Sequence, residues 1–213
     1  YRSSKIVDFS QAFGMYHALG MNILLPDQRA HGKSEGKYIT FGVKESNDMR
    51  QWLAYHNQTF GKLPVVLSGL SMGASTVVMA GGRELPPNVI GILADCGYSS
   101  AKDIMYTVIR KMGIPPKLGY PFVKLGAKVF GGFDLEEWSA EEAMKHCKVP
   151  VIFFHGEADV YVPCRMSRQN FEACTSRKFL STYPGAGHVL CYPADPERYI
   201  RELTDFFGEE MSH

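Results

Sequence analysis

One segment limits the possible folds more than any other. The apolar run Val65-Val66-Leu67-Ser68 passes without a linker into Gly69-Leu70-Ser71-Met72-Gly73, and the helical run Ala74–Ala80 follows at once. A buried strand, a tight glycine-flanked turn and a helix in direct succession form the opening half of a parallel crossover unit. The alternation continues along the chain. Met21–Leu25, ended by Pro26, reads as an earlier strand, and Val89–Ala94, Val151–Phe154 and Phe179–Tyr183 as later ones. Ile6, Phe9, Phe13, Tyr16 and Leu19 fall at helical spacing with Gly20 as a stop, and Val43–Tyr55 and Pro196–Phe207 add two further helices. The pattern predicts an α/β protein, a three-layer sandwich in which helices cover both faces of a mostly parallel sheet, with residues 1–213 in one domain.

One stretch departs from the alternation. Residues 97–148 carry helical patterns and no clear strand, with Pro115-Pro116, Pro121 and Gly131-Gly132 as punctuation. Ordinary crossovers are shorter, so residues 99–133 read as a helical cap or lid inserted over one end of the sheet. Ser139-Ala140-Glu141-Glu142 is a capping box that opens a short helix before the next strand.

Composition removes several function classes. There are 23 Lys and Arg against 22 Asp and Glu, a net charge of +1, and 45% of residues are hydrophobic. Disorder needs the opposite balance, and the near-neutral overall balance gives no electrostatic case for gripping nucleic acid or an anionic membrane. The cysteines Cys96, Cys147, Cys164, Cys174 and Cys191 are odd in number and form no C-x-x-C pair, which reads as reduced thiols in a cytoplasmic setting. No apolar run reaches the roughly 18–20 residues that span a bilayer, and no signal peptide is visible. Tyr1-Arg2-Ser3-Ser4 leads straight into a helical pattern without Met or an opening strand, so a further N-terminal segment, able to carry a signal or anchor, is expected upstream. No metal or cofactor is expected, because H-E-x-x-H, EF-hand, Cys/His ligand spacing and a strand-borne G-x-G-x-x-G are all lacking. Oligomeric state is not written in the chain.

The turn after the first strong strand carries the chemistry. Gly69, Ser71 and Gly73 form G-x-S-x-G between strand and helix. The sharp reversal strains the serine backbone, and glycine two residues either side avoids a clash. The geometry lifts the Ser71 hydroxyl above the sheet edge and aims the Met72 N–H at a developing oxyanion. A phosphate-binding reading fails because no Lys precedes Ser75-Thr76. A serine needs a base and the base needs a carboxylate. In parallel sheets these lie just past the carboxyl ends of strands. Asp159 follows Val151–Phe154 and His188 follows Phe179–Tyr183, in the order Ser, Asp, His. Asp95, after Val89–Ala94, is a rival carboxylate. Glu157 stands two residues too early, and His31 and His155 read as structural hydrogen-bonders.

Taken together, Asp27-Gln28-Arg29-Ala30-His31-Gly32-Lys33-Ser34, Gly69–Gly73, His155–Asp159 and Gly185–His188 resemble the α/β-hydrolase-fold serine hydrolases, in particular their BEM46-like and acyl-esterase-like branch. The resemblance implies Ser71 as nucleophile, His188 as general base and acid, and Asp159 as its partner. It favours Asp159 over Asp95 through His-Gly-x-x-Asp, and it leaves Asp27 and Arg29 to brace their loop. Family members carry a His-Gly pair after an earlier strand, and the residue that follows it gives a second oxyanion N–H. By position Tyr1 takes that place, so the expected oxyanion hole is Met72 and Tyr1. The implied reaction is hydrolysis of a small or medium carboxylic ester through an acyl-enzyme on Ser71. An amide or peptide hydrolase, or a non-catalytic ligand-binding member, are the alternatives. The expected partner is a small acyl substrate. Met105, Tyr106, Met112, Tyr120, Phe122, Phe130 and Phe133 either line an acyl pocket or pack the insertion onto the sheet.

Overall fold

The computed structural model describes residues 10–211. They fall in two compact units, one within Arg2–Ile39 and one within Thr40–His213.

In the first unit, helix α1 (Ser10–Ala18) ends where Gly20 takes a φ of +72°, and Met21 N–H closes the turn on Tyr16 O at 2.9 Å. The expected strand Met21–Leu25 is absent. The segment takes no regular secondary structure, and it joins no ladder among the described residues. Apolar residues in a row are compatible with a strand and do not by themselves supply the partner that makes one. The following loop is held by Asp27, whose Oδ2 accepts the Lys33 N–H at 3.0 Å and whose carbonyl accepts the Ser34 hydroxyl at 2.7 Å.

The second unit holds the sheet. Its strands are β1 (Val65–Leu70), β2 (Val89–Asp95), β3 (Val151–Gly156) and β4 (Lys178–Tyr183). They pair in chain order, and every pairing is parallel. Consecutive parallel strands with crossovers of one hand place their connecting helices on one face. Helices α2 (Glu45–Phe60), α3 (Met72–Gly81), α6 (Ala140–Met144) and α7 (Arg165–Ala173) form that layer, with α3 touching α2, β1, β2 and α6. The short α8 (Cys191–Ala194) leads into α9 (Pro196–Met211), which covers the other face. Side chains alternate as a strand requires. On β3, Phe153 meets Phe171 of α7 edge-on while its neighbour Phe154 stacks on Tyr199 of α9 at 3.9 Å. On β2, Ile92 lies against Gly81 of α3, and Gly91 leaves room for the Phe207 ring.

The long β2–β3 connection is helical. It contains α4 (Ala101–Lys111), α5 (Pro116–Gly126) and a π-helical turn, Ala127–Gly131, closed by Gly132 at φ +65°. Ser100 caps α4 by accepting the Asp103 N–H, and Ser139 caps α6 by accepting the Glu142 N–H. These helices have a small core of their own, in which Ala101, Ile109, Tyr120, Phe133 and Leu135 are buried. Arg165 on α7 grips both oxygens of Asp103 at 2.6 and 2.8 Å, tying α4 to the sheet layers.

Candidate active site

The Gly69–Gly73 turn has the local form that sterics demand. Ser71 sits at φ +56°, ψ −117°, a conformation that costs a non-glycine residue about 1–3 kcal/mol. Two bonds hold it there: its N–H donates to Asp95 O at 2.8 Å, and its carbonyl accepts Ser75 N–H at 3.1 Å. A β-carbon on Gly69 would lie 2.3 Å from the Gly73 carbonyl. Met72 is the first residue of α3, and the first N–H groups of a helix have no acceptor within it. Tyr1, the expected second donor, lies outside the described residues.

Three side chains from three loops meet above this turn. His188 Nε2 lies 2.9 Å from Ser71 Oγ, and His188 Nδ1 lies 2.6 Å from Asp159 Oδ2. A carboxylate only accepts, so Nδ1 carries a proton, and when the imidazole is neutral Nε2 is left to accept the serine hydroxyl. Asp159 is itself held. Its Oδ1 accepts the N–H groups of Tyr161 and Val162 at 2.8 and 2.9 Å, and His155 Nε2 approaches Oδ2 at 3.4 Å. His155 is fully buried, and its Nε2–H donates to Val162 O at 2.8 Å while Ser167 engages Nδ1 at 2.6 Å. It is a strut under Asp159.

The electrostatics follow from these contacts. Burial works against the Asp159 carboxylate, yet hydrogen bonds from His155, His188 and the Val162 N–H outweigh it and hold the carboxyl below its usual range. Burial likewise works against a charged His188, but Asp159 and then Cys96 overcome it and raise the imidazole to about 9.

The rival Asp95 is elsewhere engaged. Its Oδ2 accepts the Tyr199 hydroxyl at 3.2 Å. Its Oδ1 is buried without a hydrogen-bond partner, and one of its carboxylate oxygens and the sulfurs of Cys96 and Cys191 all lie within 4.8 Å of one another. Burial pushes this carboxyl up. Glu157 is turned to Thr182 at 2.7 Å. His31 stays within its own loop, with Nδ1 2.9 Å from Arg29 O.

Cys96 is the residue that sequence spacing did not single out. It is fully buried at φ +56°, and its sulfur accepts the Val189 N–H at 3.4 Å. Val189 itself stands at φ +60°, rare for a β-branched residue, directly after His188. Cys191, burial and Asp95 push the Cys96 thiol up, so it remains neutral. Folding also assembles donor groups that linear spacing hides: Asp95, Cys96 and Cys191 form one set, and Cys96, Asp159 and His188 a second. In the second set Asp159 and His188 are already committed to each other. All five cysteines are free thiols.

The expected acyl-pocket residues divide. Met105, Tyr106, Tyr120 and Phe133 belong to the core shared by α4 and α5, whereas Met112, Phe122 and Phe130 face outward. At the rim of the site, the Tyr161 ring lies 5.7 Å from that of His188.

Known proteins of similar sequence and structure fit this architecture. No protein-family model matches the chain. It is 25% identical over 190 residues to the uncharacterised protein YqkD of Bacillus subtilis, covering 88% of this chain and 62% of that one. It is 26% identical over 197 residues to the protein Bem46 of Schizosaccharomyces pombe, covering 91% and 60%. Among solved structures, the Pyrococcus furiosus esterase Pf2001 superposes with a TM-score of 0.74 at 21% identity, over 98% of this chain and 79% of that one. The α/β hydrolase GrgF of Penicillium gives 0.71 at 16% identity, over 99% and 87%. This chain has the α/β-hydrolase fold and is similar in sequence to Bem46. It spans about three fifths of the length of the curated relatives it matches. Within the α/β-hydrolase fold the strand ends are where reactive groups gather, and Ser71, Asp159 and His188 follow β1, β3 and β4 in that manner. Among the described residues no helix is long and apolar enough to cross a membrane.

Proposed function

We propose that this chain is a serine hydrolase that cleaves carboxylic esters through an acyl-enzyme on Ser71. The observation that carries the reading is the unbroken hydrogen-bonded chain from Ser71 Oγ through His188 to Asp159, at 2.9 and 2.6 Å. A serine in a strained turn, a neutral imidazole accepting its proton and a carboxylate fixing the tautomer are the parts that acyl transfer needs.

In this reading His188 Nε2 takes the Ser71 proton as Oγ attacks the carbonyl carbon. The Met72 N–H stabilises the oxyanion, with Tyr1 proposed as the second donor. Asp159 stabilises the imidazolium. His188 returns the proton to the leaving oxygen, and water, activated by the same imidazole, then releases the acid and restores Ser71. An ester is preferred to an amide because the structural neighbour Pf2001 is named an esterase.

A fluorophosphonate probe tests the proposal. Labelling of the wild type and none of Ser71→Ala supports it. A folded wild type that resists the probe and turns over no short-chain acyl ester would instead favour a ligand-binding role for the same cleft.

A further inference from the structure

Helix α5 and the π-helical turn after it are apolar on two opposite sides. Tyr120, Val123 and Ala127 face inward onto the core formed with Ile109, Phe133 and Leu135. Leu118, Phe122, Leu125 and Val129 recur at spacings of four, three and four, which is a single helical stripe on the other side. That stripe faces solvent: Phe122 is 76% exposed, Phe130 beside it 73%, and Leu118 66%. Scattered apolar groups need no explanation, but a continuous aromatic and aliphatic ridge marks an interaction surface.

Charge indicates what the ridge meets. Residues 104–133 contain Arg110, Lys111, Lys117, Lys124 and Lys128 and not one Asp or Glu, although the whole chain is nearly neutral. Lys124 is bound to Asp134 and Glu136 at 3.4 and 3.2 Å, and Lys128, though exposed, also lies within electrostatic reach of Asp134, whereas Lys117 is exposed beside the ridge. An apolar stripe bordered by lysines is the pattern of a helix that lies in the plane of a lipid headgroup layer. With 11 residues, α5 is far too short to span. A twofold contact with another copy would set the same cationic surface against itself, which an anionic partner avoids.

We infer that the ridge from Leu118 to Phe130 docks this protein onto an anionic lipid surface. The ridge connects to the candidate active site through α4. Lys111, at the end of α4, donates to the Val160 carbonyl, and its ammonium lies 4.8 Å from the centre of the Tyr161 ring, which neighbours His188. The inference stands apart from the hydrolase proposal, because binding is read without turnover.

The test is co-sedimentation of the full 213-residue chain with phosphatidylcholine vesicles, with and without phosphatidylglycerol. The wild type is expected to pellet with the anionic vesicles and to be released as salt screens the lysines. Lys117→Glu and Lys128→Glu should each weaken partitioning at least about fivefold, and Phe122→Asp with Phe130→Asp at least about tenfold. These positions are exposed, and unchanged circular dichroism and Tm confirm that the variants fold. Three results would overturn the inference. One is a wild type that stays in the supernatant with both vesicle types. Another is binding that the double Phe variant leaves intact. The third is a solution dimer that the same variant dissociates, which would give the ridge to a second copy.

Discussion

Gly156 and Ala186 stand so close that a β-carbon on the glycine would lie 2.3 Å from the Ala186 carbonyl oxygen and 2.6 Å from that of Gly187. The contact joins the end of β3, three residues before Asp159, to the loop that ends in His188. The two loops are locked together by backbone as well as by the His188–Asp159 hydrogen bond. Gly156→Ala is therefore expected to push the 185–187 loop outward. Overpacking of this kind costs about 1–3 kcal/mol. The Tm should fall accordingly, and ester turnover should fall further than the lost stability explains. Unchanged kcat in a folded Gly156→Ala protein would show that the loop has slack.

Asp159 and Asp95 make a matched pair of tests. Asp159→Asn removes the group that fixes the His188 tautomer, and kcat should drop by about 10⁴ with the fold retained. Asp95 faces Tyr199 and two thiols rather than His188, so Asp95→Asn should leave kcat within about tenfold of the wild type. Steady-state kinetics on a chromogenic acetyl ester reads both. The reverse ranking would reassign the carboxylate.

The raised imidazole sets a pH dependence. Catalysis requires neutral His188 Nε2, so kcat/KM should climb with pH and break near 9 rather than near the ordinary histidine value. Stability should move the opposite way. A pKa raised on folding contributes stability that is full below about 6.5, the unfolded value, and lost as pH rises through about 9. The Tm gap between wild type and His188→Gln should therefore narrow over that window. A kinetic break below pH 7 would mean that Asp159 and Cys96 do not outweigh burial at this site.

Cys96 should act on the rate through position. Its sulfur accepts the N–H of Val189, the left-handed residue that follows His188. Cys96→Ala removes that acceptor, and kcat should fall several-fold with KM nearly unchanged, while Cys96→Ser should restore most of the rate. A KM effect with constant kcat would place Cys96 against the substrate instead.

The chain by itself determined the features whose causes lie within a few residues. The Gly69–Gly73 turn was legible because the clash that demands Gly69 comes from Gly73, four positions on. The four strands of the sheet were legible as short apolar runs, and the Ser139 cap as a local hydrogen-bond pattern. Met21–Leu25 shows where this ends: it has the residues of a strand, but pairing is supplied by a neighbour, and none among the described residues supplies it. Asp95 and Asp159 posed the same problem, since each follows a strand end and each is a carboxylate. Only the folded arrangement decides which of them faces His188, 29 positions from Asp159. The same holds for Cys96, whose partners Val189 and Cys191 are remote in sequence, and for Phe122, whose outward direction depends on the far side of α5 being taken by Ile109, Phe133 and Leu135. Steric and capping rules act over one turn of chain, whereas packing selects among equivalent residues by distances that no local rule contains.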